Sequence, residues 1–329
     1  MVLIRVPQRW EIAENSISNE AAFFNRRRFM KSILGAGVAI AATPILSGCQ
    51  SQAKSSDLDL AAALETLPLD ATPNPAFANL DRPLTRRELA GQYNNFYEFG
   101  GNKSIWPKAQ TLPTEDWKVE VTGLVSNPQT YDLDDLKTKF SLEERRYRFR
   151  CVEAWSMAIP WLGFPMKAII DAVQPKPGAK FVRFISFYDK KITTGPGVYS
   201  DFLPWPYVEG LRIEEMANEL AFFALGLYGK ALPKQHGAPI RAVLPWKYGY
   251  KGAKSIVKIE FVAQQPATYW NTIQANEYGF EANVDPKVPH PRWSQAEERF
   301  IGKGPGLEWE MRETLPYNGY GENVGGLYA

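Results

Sequence analysis

The sequence predicts an α+β fold with mixed or antiparallel sheets and short peripheral helices. Segments with the two-residue periodicity of strands outnumber segments that are typical of helices, and the predicted helices are short and scattered. This pattern argues against a doubly wound parallel sheet. The chain has 329 residues, of which 45% are hydrophobic, so it can form one large core or two small ones.

Individual elements follow from local periodicity. Alternating apolar and polar residues predict a strand over 117–122, and the dipeptide Asn127-Pro128 predicts a turn after it. Short helices are predicted over 132–140, which begins with acidic residues, and over 166–173, which follows a proline. Runs of apolar residues predict further strands over 181–187, 220–227, 240–244 and 256–262.

The segment NRRRFMKSILGAGVAIAATPILSGC, residues 25–49, has the composition of an export signal. Consecutive arginines precede an apolar run over 32–46, which is interrupted by glycines and a proline and is too short to span a membrane. The segment resembles the twin-arginine signal, with Asn25 replacing Ser and Met30 replacing Leu. It predicts a periplasmic protein that is exported already folded. The alternative is a basic amphipathic helix of an intracellular protein.

Composition divides the chain into three predicted parts. Residues 1–49 are the twin-arginine signal, 50–90 form an extended linker, and 91–329 form the folded domain. The signal ends in the sequence LSGC, which is similar to a lipoprotein processing site. Cys49 is therefore either lipidated, which would anchor the protein to a membrane, or removed with the signal.

The net charge of +2 is distributed unevenly. The first 49 residues carry six basic and three acidic side chains, a surplus of +3, so the remainder carries about −1. A nearly neutral body has no electrostatic footprint for nucleic acid. The sequence therefore predicts no nucleic-acid partner.

The stretch YRFRCVEAWSM, residues 147–157, contains one of only two cysteines in the chain. Tyr147, Phe149 and Cys151 share the apolar face of a predicted strand that ends at the cysteine. The intervening positions, which are predicted to face the opposite side, are Arg146, Arg148 and Arg150. An unpaired thiol is a liability in an oxidising compartment. Cys151 is thus a core residue, a nucleophile or a metal ligand.

These three roles predict different proteins. A Cys–His hydrolase would use the Cys151 thiol as nucleophile and His236 or His290 as base, although both histidines lie beside turn residues. A metal-bound thiolate would suit a soft or high-valent metal; nearby arginines would lower the pKa of the thiol, and Glu153 could transfer protons beside it. A core cysteine would leave a lipid-anchored binding module. Motifs for a Rossmann site, covalent haem or a nucleophile elbow are missing from the sequence.

Five separated blocks of the chain match one enzyme family in order. They are YNNFYEFG (93–100), RCVEAWSM (150–157), YVEGLR (207–212), GAPIRAVLPWKYGYKGAKSI (237–256) and HPRWSQAEERFIG (290–302). These blocks resemble the catalytic subunits of periplasmic protein-methionine-sulfoxide reductases, which belong to the sulfite-oxidase superfamily. The resemblance implies a sulfite-oxidase-like molybdopterin-binding domain with one molybdenum–molybdopterin cofactor per chain, in the form that lacks a nucleotide.

The resemblance also implies roles for single residues. Cys151 is similar to the protein thiolate that binds molybdenum. If Cys151 is that ligand, the Glu153 carboxylate beside it is a candidate for catalytic proton transfer; otherwise it is a surface carboxylate paired with a neighbouring arginine. Ser186 stands where a family member has Thr, and His236 stands where Asn is expected in the family. Arg241 matches an arginine that contacts the phosphate of the pterin. The other positions that match cofactor contacts are Asn94, Tyr97, Glu98, Gly252, Ala253 and Lys254.

The implied reaction is the reduction of methionine sulfoxide in oxidised periplasmic proteins. The resemblance implies a monomeric catalytic subunit that receives electrons from quinol through a membrane-embedded haem protein. A sulfite dehydrogenase, or a reductase of small S-oxides or N-oxides, is the alternative on the same fold. Reversing methionine oxidation would restore an apolar side chain to the substrate protein.

Overall fold

The computed structural model describes residues 59–302 and 309–329. The predicted twin-arginine signal and Cys49 lie outside these residues, as does the start of the predicted linker. All described residues belong to one compact unit that spans Ser55–Ala329. Within the described ranges, no helix has both the length and the apolar character needed to cross a bilayer.

Strands dominate the described part of the chain. They are β1 (Thr72–Pro73), β2 (Lys118–Gly123), β3 (Gln129–Asp132), β4 (Glu143–Arg150), β5 (Trp155–Pro165), β6 (Phe181–Ser186), β7 (Val208–Arg212), β8 (Phe222–Leu227), β9 (Lys230–Ala231), β10 (Arg241–Val243), β11 (Ile256–Val262), β12 (Glu297–Ile301) and β13 (Trp309–Glu313).

The α-helices are short. They are α1 (Leu60–Leu64), α2 (Arg87–Gln92), α3 (Trp106–Ala109), α4 (Leu133–Thr138), α5 (Lys167–Val173), α6 (Ile213–Ala217), α7 (Tyr269–Ile273) and α8 (Gly321–Val324). In α4 the Asp132 carboxylate caps the first turn by accepting from the Asp135 amide, as its acidic start predicts. Two 3₁₀ turns, Lys234–His236 and Gly249–Lys251, lie near the site described below.

The strands form two mixed sheets. The larger sheet has the order β1-β4-β5-β12-β13, and β8 also pairs with β5 while β9 and β10 pair with β8. The smaller sheet has the order β3-β2-β11-β6-β7. Parallel pairs join β1 to β4, β12 to β5 and β11 to β2, and the other pairs are antiparallel. The predicted α+β fold with mixed sheets and short helices is therefore confirmed.

Strand β5 lies at the centre of the larger sheet, and all its residues except the last are buried. Its sequence does not predict a central strand, because Pro160 and Pro165 cannot donate to a ladder and a continuous apolar run is ambiguous. The strand pairs antiparallel with β4 and with β8, and its register with β8 shifts between Leu162 and Gly163. Two neighbouring strands and this shift accommodate the prolines.

The predicted alternation along β4 holds only in its middle. Tyr147 is buried and Arg146 is exposed, as the pattern predicts. Arg145 shares the face of Tyr147 and is buried with it, but Arg150, on the opposite face, is also buried, which the pattern does not predict. Both guanidiniums have acidic partners, since Arg145 pairs with Glu143 at 2.5 Å and Arg150 contacts Glu298 at 3.4 Å. The alternation failed at Arg150 because an arginine with fixed acceptors can be buried.

The C-terminal part of the predicted linker contributes short elements to the domain. Strand β1 pairs with β4, and α1 contacts α2. The side chain of Leu64 is buried, and its Cδ2 lies 2.5 Å from the point where a Cβ on Gly91 would be. The boundaries proposed for the signal and linker stay predictions.

Substitution of Gly163 by Ala tests the close approach of β5 to β8. The added Cβ would lie 1.9 Å from the Phe223 carbonyl oxygen, so the backbone of one strand must move. We expect the free energy of unfolding to fall by about 1–3 kcal/mol. Denaturant unfolding would measure it. Gly178→Ala is the control, because only a Leu124 methyl group lies within 4 Å of that Cβ; equal midpoints for the two variants would contradict the expectation.

Candidate active site

One deep cleft contains most of the residues that the sequence predicts as functional. It encloses about 1110 Å³ of space free of protein atoms, including its opening to solvent. The predicted site residues on its wall are Asn94, Tyr97, Glu98, Cys151, Glu153, His236, Arg241, Gly252 and Lys254. Tertiary structure thus brings together residues that are up to 160 positions apart in the chain, the separation of Asn94 and Lys254.

Cys151 lies in the hairpin that joins β4 to β5. Its amide donates to the Trp155 carbonyl at 2.9 Å, and its carbonyl accepts from the Ala154 amide at 3.0 Å. Ala154 has a φ of 65°, a left-handed conformation that is uncommon for a residue with a Cβ. The thiol is free and buried. The four-residue turn therefore holds the Cys151 sulfur at the end of the central strands, facing the cleft.

All four carbonyls of the turn accept hydrogen bonds from outside it. Arg150 Nη1 donates to the Cys151 carbonyl. Both Trp293 Nε1 and Gln295 Nε2 donate to the Val152 carbonyl at 2.7 Å. The Arg299 side chain reaches the Glu153 carbonyl at 2.7 Å, and the Arg299 amide reaches the Ala154 carbonyl at 2.8 Å.

Glu153 is held as an anion beside the thiol. Its Oε2 accepts from Asn95 Nδ2 at 2.7 Å and from Trp155 Nε1 at 3.2 Å, and Lys103 Nζ lies 2.5 Å away. Burial alone would raise the pKa of Glu153, but the charge of Lys103 and the three donors outweigh it, so the pKa lies below its ordinary value. Glu153 is therefore a carboxylate at neutral pH and can accept a proton.

The thiol of Cys151 contacts the same network. Asn95 Nδ2 lies 3.4 Å from the sulfur, and the Glu153 carboxylate lies 3.6 Å from it. Burial and the charge of Glu153 raise the pKa of Cys151 to about 12, and the opposing effects of Lys103 and Arg150 are smaller. Arg150 therefore favours the thiolate, as the sequence predicts, but burial outweighs its effect. A metal cation is the kind of charge that deprotonates such a thiol.

The opposite end of the cleft is cationic. His236 ends a 3₁₀ turn, Arg241 begins β10, and Lys254 precedes β11. Burial lowers the pKa of Arg241 to about 10, which leaves it charged, and burial together with Arg241 lowers the pKa of Lys254. Burial and these two neighbours lower the pKa of His236 to about 3, so the imidazole is neutral.

Several donors at this end have no partner among the described residues. Arg241 Nη1 donates to the His236 carbonyl at 3.1 Å, but Arg241 Nη2, His236 Nε2 and Gln235 Nε2 are buried and unpaired. Unpaired buried donors are costly and are therefore rare. A dianion such as a pterin phosphate would satisfy them, so these residues fit the implied cofactor.

Glycines shape the cationic end. A Cβ on Gly252 would lie 2.7 Å from the Ala242 carbonyl oxygen and 3.2 Å from Arg241 Nη2, so a side chain would fill the space beside that donor. Gly237 has a φ of 88°, which favours glycine, and a Cβ there would lie 2.6 Å from Lys254 Cβ. Gly252 thus keeps space open beside Arg241, and Gly237 allows the Lys254 side chain to pack against the backbone.

Glu98 is a second buried carboxylate on the wall of the cleft. Burial raises its pKa, and the charge of Lys254 opposes this effect. Its carbonyl accepts from the Gly195 amide at 2.8 Å. Asn94 Oδ1 is buried without a partner among the residues described, while its Nδ2 donates to the Ala90 carbonyl at 2.8 Å. Tyr97 packs on Trp270, with ring centroids 4.8 Å apart.

Two predicted cofactor residues are not on the wall of the cleft. Ser186 ends β6 and is buried, with its Oγ unpaired within the described ranges. Ala253 is fully buried; its amide donates to the Lys251 carbonyl at 3.2 Å, and its carbonyl accepts from the Ala242 amide at 2.9 Å. The cofactor roles of these two residues stay predictions.

The sequence analysis missed several residues of the cleft. Four of them lie near Cys151 and Glu153, and one lies at the cationic end. The four are Tyr93, Asn95, Lys103 and Trp155, and the fifth is Gln235. Asn95 is part of the block YNNFYEFG, so the resemblance of that block to the family could have indicated it as a site residue. No local pattern marks Lys103 as the partner of Glu153, because the two residues meet only through the fold.

The geometry does not favour a Cys–His hydrolase. The hydrogen-bond partners of the Cys151 thiol in the described structure are Asn95 and Glu153, and neither histidine is among them. His290 stacks on Trp293 at 3.8 Å, and its Nε2 lies 3.2 Å from Glu277. His236 points to the cationic end, where its low pKa makes it a poor base at neutral pH.

Fold and site together define a molybdopterin-binding oxidoreductase. Residues 106–270, about half of the chain, match the oxidoreductase molybdopterin-binding domain. The matched range includes Cys151, Glu153, His236, Arg241 and Lys254. The predicted molybdopterin-binding domain is confirmed.

The chain belongs to the family of protein-methionine-sulfoxide reductase catalytic subunits. The MsrP catalytic subunit of Pseudomonas syringae pv. tomato is 45% identical over 100% of this chain and 98% of its own length. That of Ralstonia nicotianae is 52% identical over 79% of both chains. That of Burkholderia mallei is 45% identical over 97% of this chain and 93% of its own. The predicted family and the predicted oxidoreductase class are confirmed.

Among solved structures, the sulfane dehydrogenase SoxCD from Paracoccus pantotrophus is similar at a TM-score of 0.48 and 14% identity. The match covers 78% of this chain and 69% of that chain. The similarity is too distant to bear on function.

Substitution of Lys254 by Met tests the cationic end with two readouts. The variant removes a charge that would bind the phosphate, so we expect cofactor content after purification to fall by about tenfold. We also expect the cofactor-free protein to lose part of its pH dependence. Because the pKa of Lys254 is lowered in the folded protein, the unfolded chain binds more protons between that pKa and 10.5. Stability of the wild type should therefore rise with pH across this window, by more than stability of the variant.

Lys258→Met is the matched control. Lys258 pairs with Glu120 at 3.4 Å in the smaller sheet, outside the cleft. The Lys258→Met variant should retain wild-type cofactor content. If the stability of the wild type and of Lys254→Met changed in parallel above neutral pH, the pKa of Lys254 would not be lowered in the folded protein.

Proposed function

We propose that this protein is an exported molybdenum enzyme that reduces methionine sulfoxide in oxidised periplasmic proteins. One observation carries the proposal: a buried thiol beside a fixed carboxylate shares a cleft with buried donors, among them the Arg241 guanidinium, that have no partner among the described residues. The first is a setting for a metal, and the second is a setting for a phosphate. Membership of the family supplies the substrate class.

The chain would hold one molybdenum–molybdopterin cofactor, without a nucleotide, which would extend from one end of the cleft to the other. Cys151 would bind the metal through its sulfur. Arg241, Lys254 and His236 would bind the phosphate, with His236 as a neutral donor in place of an amide. When bound, this cofactor supplies two-electron oxygen-atom transfer chemistry. The protein would contribute ligation, orientation and proton transfer.

The reaction breaks the sulfur–oxygen bond of the sulfoxide. One sulfoxide, two electrons and two protons give one thioether and one water molecule. Glu153 would accept a proton from solvent at its carboxylate and pass it to the oxygen that leaves the sulfoxide. Lys103 would stabilise the carboxylate between these events, because its Nζ lies 2.5 Å from Oε2. Asn95 keeps the carboxylate and the thiol in fixed geometry through one amide.

The location is part of the proposal. The segment NRRRFMKS, residues 25–32, supports export by the twin-arginine route, which carries proteins already folded. Such a route suits a protein that binds its cofactor before export. Cys49 would then be lipidated or removed with the signal.

Replacement of Cys151 by Ser tests the central claim. Ser keeps the shape of the site but replaces a soft ligand with a hard one. We expect the purified wild type to contain about one molybdenum per chain, and the variant to lose more than about a hundredfold of its methionine-sulfoxide turnover. Elemental analysis and a turnover assay would measure these quantities.

Two outcomes would count against this function. The first is wild-type protein that contains neither metal nor pterin although its host makes the cofactor. Cys151 would then be a nucleophile or a core residue. Faster turnover of sulfite than of methionine sulfoxide would indicate a sulfite dehydrogenase on the same fold. A reductase of small S-oxides or N-oxides would leave oxidised proteins unreduced.

We further propose that electrons come from quinol through a membrane-embedded haem protein. The sequence contains no motif for covalent haem, and the name of the relatives, catalytic subunit, supports a second subunit. Quinol-supplied membranes that contain the haem partner should drive reduction of oxidised protein. Equal rates with membranes that lack this partner would refute the dependence.

A further inference from the structure

A second groove adjoins the cleft at Glu153. It contains about 840 Å³ of space free of protein atoms, including open solvent, and Glu153 lines both spaces. Trp293 and Arg299 form part of its wall, and Met311 of β13 lies at its outer side. A ligand in this groove would therefore continue directly to the carboxylate that contacts the Cys151 thiol.

Strand β13 is an edge strand. It pairs with β12, and it ends the order of the larger sheet within the described residues. The Arg299 amide donates to the Ala154 carbonyl in the turn that precedes β5, and Arg299 is opposite Trp155, so the backbone groups of Arg299 face β5. Met311 is opposite Arg299, and backbone groups alternate in direction along a strand. The amide and carbonyl of Met311 therefore point away from β12, to the open edge.

The side chains of this edge suit a polypeptide. Trp309 and Met311 are 40% and 55% exposed. Trp309 also contacts Tyr93 on the wall of the cleft, with ring centroids 5.5 Å apart. Apolar side chains therefore extend from the edge strand to the cleft. Exposed apolar surface beside a site often marks a binding surface.

Charges on β13 indicate what pairs with it. Glu310 and Arg312 alternate with the apolar positions and pair with each other at 2.7 Å, and Glu313 ends the strand. Charged residues on an edge strand disfavour pairing with another edge of the same kind. The edge is thus better suited to a transient extended segment than to a second copy of this chain.

We propose that the open edge of β13 binds the backbone of an oxidised protein as an added strand, with its methionine sulfoxide directed past Glu153 toward Cys151. This inference rests on the proposed reduction of protein-bound methionine sulfoxide. Main-chain hydrogen bonds to an edge strand give affinity without requiring a particular sequence. Such recognition would let one enzyme act on many oxidised proteins. Free methionine sulfoxide would reach the cleft without using β13.

Replacement of Met311 by Pro removes the outward amide. Proline is tolerated on an edge strand when its missing N–H faces solvent, so the β12–β13 ladder should persist. We expect KM for an oxidised, unstructured peptide to rise about tenfold, while KM for free methionine sulfoxide stays unchanged. Met311→Ala is the matched control, because it removes the side chain and keeps the amide. It should raise KM for the peptide by less than about twofold.

A second measurement uses the wild-type protein, so it does not depend on how the proline variant folds. Oxidised peptides would be N-methylated at every second residue, in one register or in the other. An added strand uses the amides of only one register. We expect one methylated set to raise KM about tenfold and the other set to have little effect. Equal KM values for the two sets would overturn the inference.

The Phe202→Ser variant tests whether the exposed side chain of Phe202, instead of β13, binds the peptide. Phe202 is 85% exposed, in a loop whose Gly195 amide donates to the Glu98 carbonyl. A rise in KM for the peptide in this variant, with no change in Met311→Pro, would overturn the assignment to β13. Failure of the proposed function would appear differently, as no reduction of either substrate by the wild type.

Discussion

The position of the Cys151 sulfur depends on hydrogen bonds to the carbonyls of one hairpin. Residues 151–154 form a turn with a left-handed alanine, and each of its carbonyls accepts a bond from Arg150 or from the segment 293–299. Arg150 is itself fixed by Glu298, which also pairs with Arg82. The Cys151 turn is thus held mainly by donors from a distant part of the chain.

Each end of the cleft buries polar groups in an arrangement that is unfavourable without a ligand. One end buries a thiol against a carboxylate, and the other buries Arg241 and Lys254 without an ion-pair partner among the described residues. Elsewhere the fold satisfies a buried charge fully, since Lys247 Nζ donates to Glu215 at 2.6 Å, to the Glu281 carbonyl at 2.6 Å and to Asn283 at 2.9 Å. Unpaired buried donors gathered on the wall of one cleft fit a ligand that would accept hydrogen bonds from them.

Local sequence predicted much of the fold and part of the site. Strands β2, β6 and β11 and helices α4 and α5 follow from alternation or from acidic starts, because these signals lie within a few residues. Strand β5 did not follow, since its two prolines are tolerated only in the context of β4 and β8. The blocks around Asn94, Cys151 and Lys254 indicated the cleft through the resemblance to a family. Composition alone would have left Lys254 as a solvated charge.

The sequence by itself determined the type of several strands and short helices, the presence of a thiol at position 151 and the family. These properties depend on side-chain chemistry and on short spacings, which a chain carries before it folds. Tertiary structure alone decided that Lys103 and Asn95 hold Glu153, that burial rather than arginine sets the protonation of Cys151, and that β13 ends a sheet beside the cleft. Each of these depends on distances between residues far apart in the chain, and on the loss of water around them, which no local pattern encodes.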